Sequence, residues 1–228
     1  MKFLRRIKKI VFDRYAAPQP HHGQGVSDRT IQKHGHTDYD RYPTIFEEVR
    51  RLAGDNADSK ILSFGCSTGE EVFSLADKYF LETQITGLDI DSRSIKTAIR
   101  NNPYPERVQF FETSDSTLRE CGPFDVIFAM SVLCAWPESK DLDNISPLMT
   151  FDDFERHTSF LHQHLKCHGF FVIYNASFCF SDSGVSSSYR AIQMKGQNES
   201  GFVKKFDRNN RSMKGYVYAH SIFKKLRD

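Results

Sequence analysis

The sequence predicts an α/β fold, a mostly parallel, doubly wound sheet of about seven strands with an antiparallel edge strand. Three observations point there. Short apolar runs alternate with stretches whose apolar residues recur at helical spacing. The first run ends in a turn with two glycines four apart, Gly65 and Gly69, and the second ends in an acid, Asp89.

The elements follow in order. Pro43 opens a helix whose apolar residues Ile45, Phe46, Val49 and Leu52 share a face, with Gly54 as its C-cap. Then come a strand from Lys60 to Phe64, a helix from Glu70 to Phe80, a strand from Gln84 to Leu88, a helix from Asp91 to Asn101 and a strand from Val108 to Phe111. Further strands are expected from Phe124 to Ala129 and from Phe170 to Tyr174. Between them lies the amphipathic segment Phe151 to Lys166, with Phe154, Phe160, Leu161 and Leu165 on its buried face. Runs near Tyr189 to Met194 and Tyr216 to Ile222 close the sheet as an antiparallel pair.

Composition bounds the class. With 228 residues, 39% of them hydrophobic and 26% charged, the chain has enough apolar surface for one folded domain. Residues 41–228 are expected to be that domain, preceded at 1–40 by a basic amphipathic helix and a polar loop or lid. Cys66, Cys121, Cys134, Cys167 and Cys179 are odd in number and contain no C-x-x-C pair, which fits a reducing compartment better than a disulfide framework. No run reaches the roughly 20 apolar residues of a membrane span, and a cytoplasmic location is expected.

Charge is divided along the chain. Met1 to Arg14 carries six basic residues against Asp13, Val185 to Asp228 carries ten against three acids, and the stretch between has fifteen basic and twenty-five acidic residues. An acidic body with basic ends suits an anionic partner. The first twelve residues space Phe3, Leu4, Ile7, Ile10 and Val11 on one helical face, so weak contact with the inner membrane surface is one reading and a terminal packing helix the other. Phe202 and Phe206 alone interleave with Lys204, Lys205, Arg208, Arg211 and Lys214, too few aromatics to favour nucleic acid.

In a doubly wound sheet the ligand sits beyond the carboxyl ends of the strands. There the turn Gly65-Cys66-Ser67-Thr68-Gly69 lets backbone approach a ligand, and Glu70 and Glu71 follow it. A dinucleotide turn reads G-x-G-x-x-G, and two acids at the helix start repel a pyrophosphate. They suit a cation such as the sulfonium and α-ammonium of S-adenosylmethionine. Asp89 ends the second strand, where an acid can accept both ribose hydroxyls of an adenosine ligand, while Asp91 suits an N-cap. Asp115 stands where an adenine amino group could be met, or serves as a turn residue.

These residues resemble the class I S-adenosylmethionine-dependent methyltransferases, whose fold is Rossmann-like. The turn FGCSTGEEVFSLA is similar in particular to that of the chemotaxis receptor carboxyl methyltransferases. The resemblance implies that Gly65, Gly69 and Glu70 line the methionine moiety, Asp89 the ribose and Asp115 the adenine. Cys66, Ser67, Ile90, Ser116, Ala129 and Met130 complete the expected cofactor set. The substrate does not carry over, because that family has an arginine-asparagine pair where this chain has Met130 and Ser131.

The acceptor wall is expected from 131–150, 175–188 and the polar loop before Tyr42. Trp136, Asn175 and His36 are the candidates within it, Trp136 more readily as a packing residue, and His34 or His36 as a base if the loop folds over the site. His157, His162, His164 and His168 cluster without an acid or cysteine to complete a triad, so no metal is expected. The expected activity is methyl transfer to a small molecule, a glycan or a lipid-linked precursor. The alternatives are protein or RNA as acceptor, and a non-catalytic adaptor that binds the cofactor.

Overall fold

The computed structural model describes Gly35 and residues 37–228, so the amphipathic amino-terminal segment and His36 lie outside the described residues. Helix α1 (Pro43–Ala53) begins with proline at its first turn and ends at Gly54, whose φ of 80° no β-carbon obstructs. Strand β1 (Lys60–Phe64) leads through the glycine turn into α2 (Glu70–Ser74), which widens into one π-helical turn, Leu75–Tyr79. Then follow β2 (Gln84–Asp89), α3 (Ser92–Asn101), β3 (Val108–Glu112), α4 (Asp115–Cys121) and β4 (Phe124–Met130). Asp91 caps α3 through the amides of Arg93 and Ser94, the local role its position suggested.

Helix α5 (Phe151–His164) starts at a capping box in which Thr150 and Asp153 exchange hydrogen bonds. It passes directly into β5 (Leu165–Tyr174), five residues earlier than the apolar run beginning at Phe170 suggested. A polar start, Lys166-Cys167-His168, hides that part of the strand from a reading by hydropathy. Strand β6 (Tyr189–Ile192) and β7 (Ile222–Lys225) complete the sheet. The last strand therefore lies later than Tyr216–Ile222, whose first residues are exposed loop.

The sheet order is β3-β2-β1-β4-β5-β7-β6. Strands β1 to β5 pair in parallel, and β7 runs antiparallel to both β5 and β6, so the outermost strand is β6 and the reversed one lies just inside it. Alternate residues feed two cores. Ile61, Val126 and Phe128 face α1, α2 and α3 beside Phe46, Val49 and Val72, whereas Leu62, Ile127 and Phe171 face α5 beside Phe154 and Leu161. Because β1 and β4 are central neighbours with opposite outgoing directions, the glycine turn and the segment after β4 meet above the sheet at its topological switch point.

Candidate functional site

The glycine turn is held from below by β2. The amides of Gly65 and Cys66 both donate to the Leu88 carbonyl, at 2.7 and 2.9 Å. Gly65 has φ 78°, and a β-carbon there would lie 2.5 Å from Val132 Cγ2; Gly69 has φ 97°, and a β-carbon would meet Phe73 at 2.9 Å. Both positions therefore exclude side chains by conformation and by space. Cys66 and Ser67 are buried inside the turn, and the Ser67 hydroxyl donates to the Gly35 carbonyl at 2.8 Å, so the chain before Tyr42 lies on the turn at that point.

Asp89 joins the two turns. Its Oδ2 accepts from the Ser67 amide at 2.7 Å and its Oδ1 from the Asp91 amide at 2.9 Å. A carboxylate offers about four acceptor positions, so each oxygen keeps one for a ligand hydroxyl. Burial pushes the carboxyl above its ordinary value, and the surrounding amides oppose that shift. Beside it Ile90 is 61% exposed, an apolar surface available to a flat ring.

Two acids follow the turn with different surroundings. Glu70 Oε2 accepts from the Thr68 hydroxyl at 2.6 Å. Glu71 Oε1 accepts from Ser63 Oγ at 2.8 Å, and desolvation pushes its carboxyl up to about 7, opposed by that hydrogen bond and by Arg41. The residue keeps some surface, but its carboxyl is enclosed by protein.

The structure places the other cofactor candidates unequally. Ala129 and Met130 end β4, buried beneath the site. Asp115 and Ser116 lie exposed in the first turn of α4. Asp115 lines a cavity of about 520 Å³ with Arg119, Pro123, Phe160 and His164, and its carboxylate makes no hydrogen bond to a described residue. It thus lies beside the end of α5 while belonging to the helix turn that follows β3.

Beyond β4 and β5 lies a constellation that sequence reasoning found only in part. Asn175 Nδ2 donates to Ser131 Oγ at 2.9 Å and reaches the Tyr42 hydroxyl at 3.4 Å, while Tyr42 and Ser131 share a hydrogen bond of 2.7 Å. Ser131 (φ 59°) and Asn175 (φ 55°) adopt left-handed conformations uncommon for residues with side chains. The Arg41 guanidinium lies 5.2 Å from the centre of the Tyr42 ring. Trp136 meets Phe202 edge-on at 5.3 Å, so this ring packs, on the wall of the same region. Tyr42 was hidden because it precedes α1 by one residue and no local pattern marks it.

Residues 62–171 match a family described as a methyltransferase domain. The glycine cradle, the doubly anchored Asp89 and exposed Ile90 have the shape and polarity to fit an adenosine carrying a cationic tail. Among curated protein sequences none matches the chain.

The chain is similar in structure to the N-methyltransferase NodS from Bradyrhizobium japonicum WM9, at 15% identity over 82% of this chain and 99% of that one, with a TM-score of 0.49. It is also similar to PKMT2 from Rickettsia typhi, in complex with AdoHcy, at 20% identity over 58% of this chain and 24% of that one, with a TM-score of 0.41. Against StiE O-MT residues 961–1257 the figures are 15% identity, 79% of this chain, 74% of that one and a TM-score of 0.47. For several other solved structures the chain spans 63%, 46% and 24% of their length. Among the described residues, no helix is long and apolar enough to cross a membrane, and no three His, Cys, Asp or Glu residues gather as metal ligands.

Proposed function

We propose that the chain is an S-adenosylmethionine-dependent methyltransferase whose acceptor is a small molecule, a glycan or a lipid-linked precursor. The observation that carries this reading is the Asp89 carboxylate, anchored to the glycine turn and to its own strand end with an acceptor position left on each oxygen. The likeness of the turn to that of the chemotaxis receptor methyltransferases supports the donor and not their substrate.

When bound, the donor supplies an electrophilic methyl group on a sulfonium. In this reading Asp89 holds ribose hydroxyls, Ile90 covers a face of the adenine, and Glu70 and Glu71 place negative potential beside the cationic end. Cys66 and Ser67 shape the buried side of the turn, and Ala129 and Met130 give the site an apolar floor. Asp115 and Ser116 border the adenine side from the start of α4.

The acceptor side is Tyr42, Ser131 and Asn175. Hydrogen-bond accounting defines what they offer: Asn175 Oδ1 is taken by the Phe202 amide, its Nδ2 serves the two hydroxyls, and one hydroxyl proton serves the Tyr42–Ser131 bond. One hydroxyl proton remains to donate to an acceptor atom. Fixing that atom before reaction removes orientational freedom from the barrier, a substantial share of methyl-transfer catalysis. Trp136 forms part of the wall through its contact with Phe202.

Isothermal titration with S-adenosylmethionine and with its demethylated product, with NAD as a control ligand, tests the donor. Binding of the first two and not of NAD supports the reading; a folded protein that binds neither overturns it. Labelled methyl transfer in a cell extract then tests turnover, and product in the protein or RNA fraction, or none at all, replaces the acceptor class with the corresponding alternative.

A further inference from the structure

The excursion between β6 and β7, residues 193–221, carries a buried lysine for which the proposed chemistry has no use so far. Lys205 is 6% exposed, and its ammonium donates to the Ala176 carbonyl. Among the described residues it makes no ion pair. An ammonium has three protons to donate, so two remain without a partner in surroundings that solvate them poorly. The other buried lysine, at the end of β7, shows the contrast: Lys225, 2% exposed, donates to the carbonyls of His162 and Leu165 and pairs with Asp228 at 2.7 Å.

The groups facing Lys205 do not supply a counter-charge. Cys134 and Cys179 lie nearest in electrostatic effect, and burial pushes both thiols up to about 11, which leaves them neutral. Glu199 is exposed and contributes least. Desolvation brings the ammonium down to about 8, the response of a cation missing an anion.

Lys205 also lines a cavity of about 360 Å³ together with Phe202, Lys204, Lys214, Tyr216 and Tyr218. Glu199 is the one acid among the lining residues, against three lysines. The cavity adjoins the acceptor side. The Phe202 amide donates to Asn175 Oδ1 at 3.0 Å, and Ala176, which receives the Lys205 proton, is the next residue in the chain.

We propose that this cavity is the part of the acceptor site that takes an oxyanion, a carboxylate or phosphate group, with Lys205 as its counter-charge. This rests on the methyltransferase reading for the word acceptor, and on the cavity itself for the anion. The acceptor is then an anionic molecule whose reactive atom reaches Ser131 while its charged group reaches Lys205.

The test is a nuclear magnetic resonance titration of the full chain with lysine side chains isotopically labelled, the Lys205 signal being assigned by its absence in Lys205→Met. Inorganic phosphate and acetate are added separately, with chloride at matched ionic strength as control. The expected result is a saturable rise in the Lys205 titration midpoint with phosphate, acetate or both and, read from the signals of Lys204 and Lys214 on the same cavity, retained saturable binding in Lys205→Arg and roughly tenfold or greater weakening in Lys205→Met. Which probe acts tells a phosphate site from a carboxylate site. A midpoint that moves no further than with chloride overturns the proposal, as does equal binding by Lys205→Met. S-adenosylmethionine titration of the same samples separates the two readings, since loss of donor binding in the unaltered chain would count against the methyltransferase reading alone.

Discussion

Ser131 and Asn175 are counterparts: each is the first residue beyond its strand, each has a positive φ, and the amide of Asn175 donates to the hydroxyl of Ser131 at 2.9 Å. The Ser131 amide in turn donates to the carbonyl of Tyr174 at 2.8 Å, so the ends of β4 and β5 are tied side by side before the chain departs on either side. Left-handed backbone at two adjacent strand ends costs on the order of 1–3 kcal/mol each and persists where the surroundings impose it. Here they present two polar side chains to the same point as Tyr42.

Coupling within this group is measurable. Tyr42→Phe and Asn175→Ala should each lower methyl transfer, and the double variant should lose less than the sum, by about 0.5–3 kcal/mol in a double-mutant cycle on kcat/KM. Strict additivity would mean that the three side chains do not act together.

Asp89→Ala removes acceptor positions for ligand hydroxyls and also frees the Ser67 and Asp91 amides. Donor affinity should fall by about 1.5–3 kcal/mol, roughly ten- to a hundredfold, in isothermal titration. Unchanged affinity would move the donor site elsewhere.

Gly69→Ala places a β-carbon 2.9 Å from the Phe73 ring at a φ of 97°. The variant should lose about 1–3 kcal/mol of stability in urea unfolding. A matched Gly196→Ala, also at positive φ but with nothing within 4 Å of the new carbon, should lose less.

Glu71 sets a pH dependence of stability. Its folded value, about 7, lies above its ordinary 4.5, so between them the folded chain holds a proton the unfolded chain has released. Stability should therefore fall as pH rises from about 4.5 through about 7, by up to roughly 3 kcal/mol, less as water reaches the group. Glu71→Gln should be more stable than the unaltered chain at pH 8 and nearly equal at pH 5, as followed by chemical unfolding.

The same group links donor binding to protons. A cation beside Glu71 favours its carboxylate, so binding S-adenosylmethionine at pH 7 should release part of a proton. Titrations in buffers of different ionisation enthalpy measure that release, and Glu71→Gln should abolish it.

Much of the fold is legible in the sequence alone. Gly65, Gly69 and Asp89 are local patterns, each fixed by a strand end and a turn, and the order of apolar runs gives the parallel sheet. What escaped was of two kinds. Helix α4 is too short and polar to show a period, and β5 opens at Leu165 and Lys166, which the hydropathy pattern joins to the preceding helix, followed by the polar-leaning Cys167 and His168. The proposed acceptor side unites Tyr42, Ser131 and Asn175 from three distant segments, a meeting that only the crossing of strands creates. Lys205 looked like one more surface cation of a basic tail, because its burial depends on a fold of the chain that leaves no periodic trace.

Ile192 and Ile222 are paired neighbours on β6 and β7, so the stretch from 193 to 221 leaves the sheet and returns to it at a single gap. Its middle is bridged to the segments after β4 and β5 through Asn144–Arg211 and Phe178–Phe206. Between those ends it packs into the cores on both faces of the sheet through Met194 and Phe206. The same stretch that closes the sheet edge also brings the Phe202 amide to Asn175 and the Lys205 ammonium to Ala176, so the ends of the parallel strands and the antiparallel edge are fastened to each other from outside the sheet.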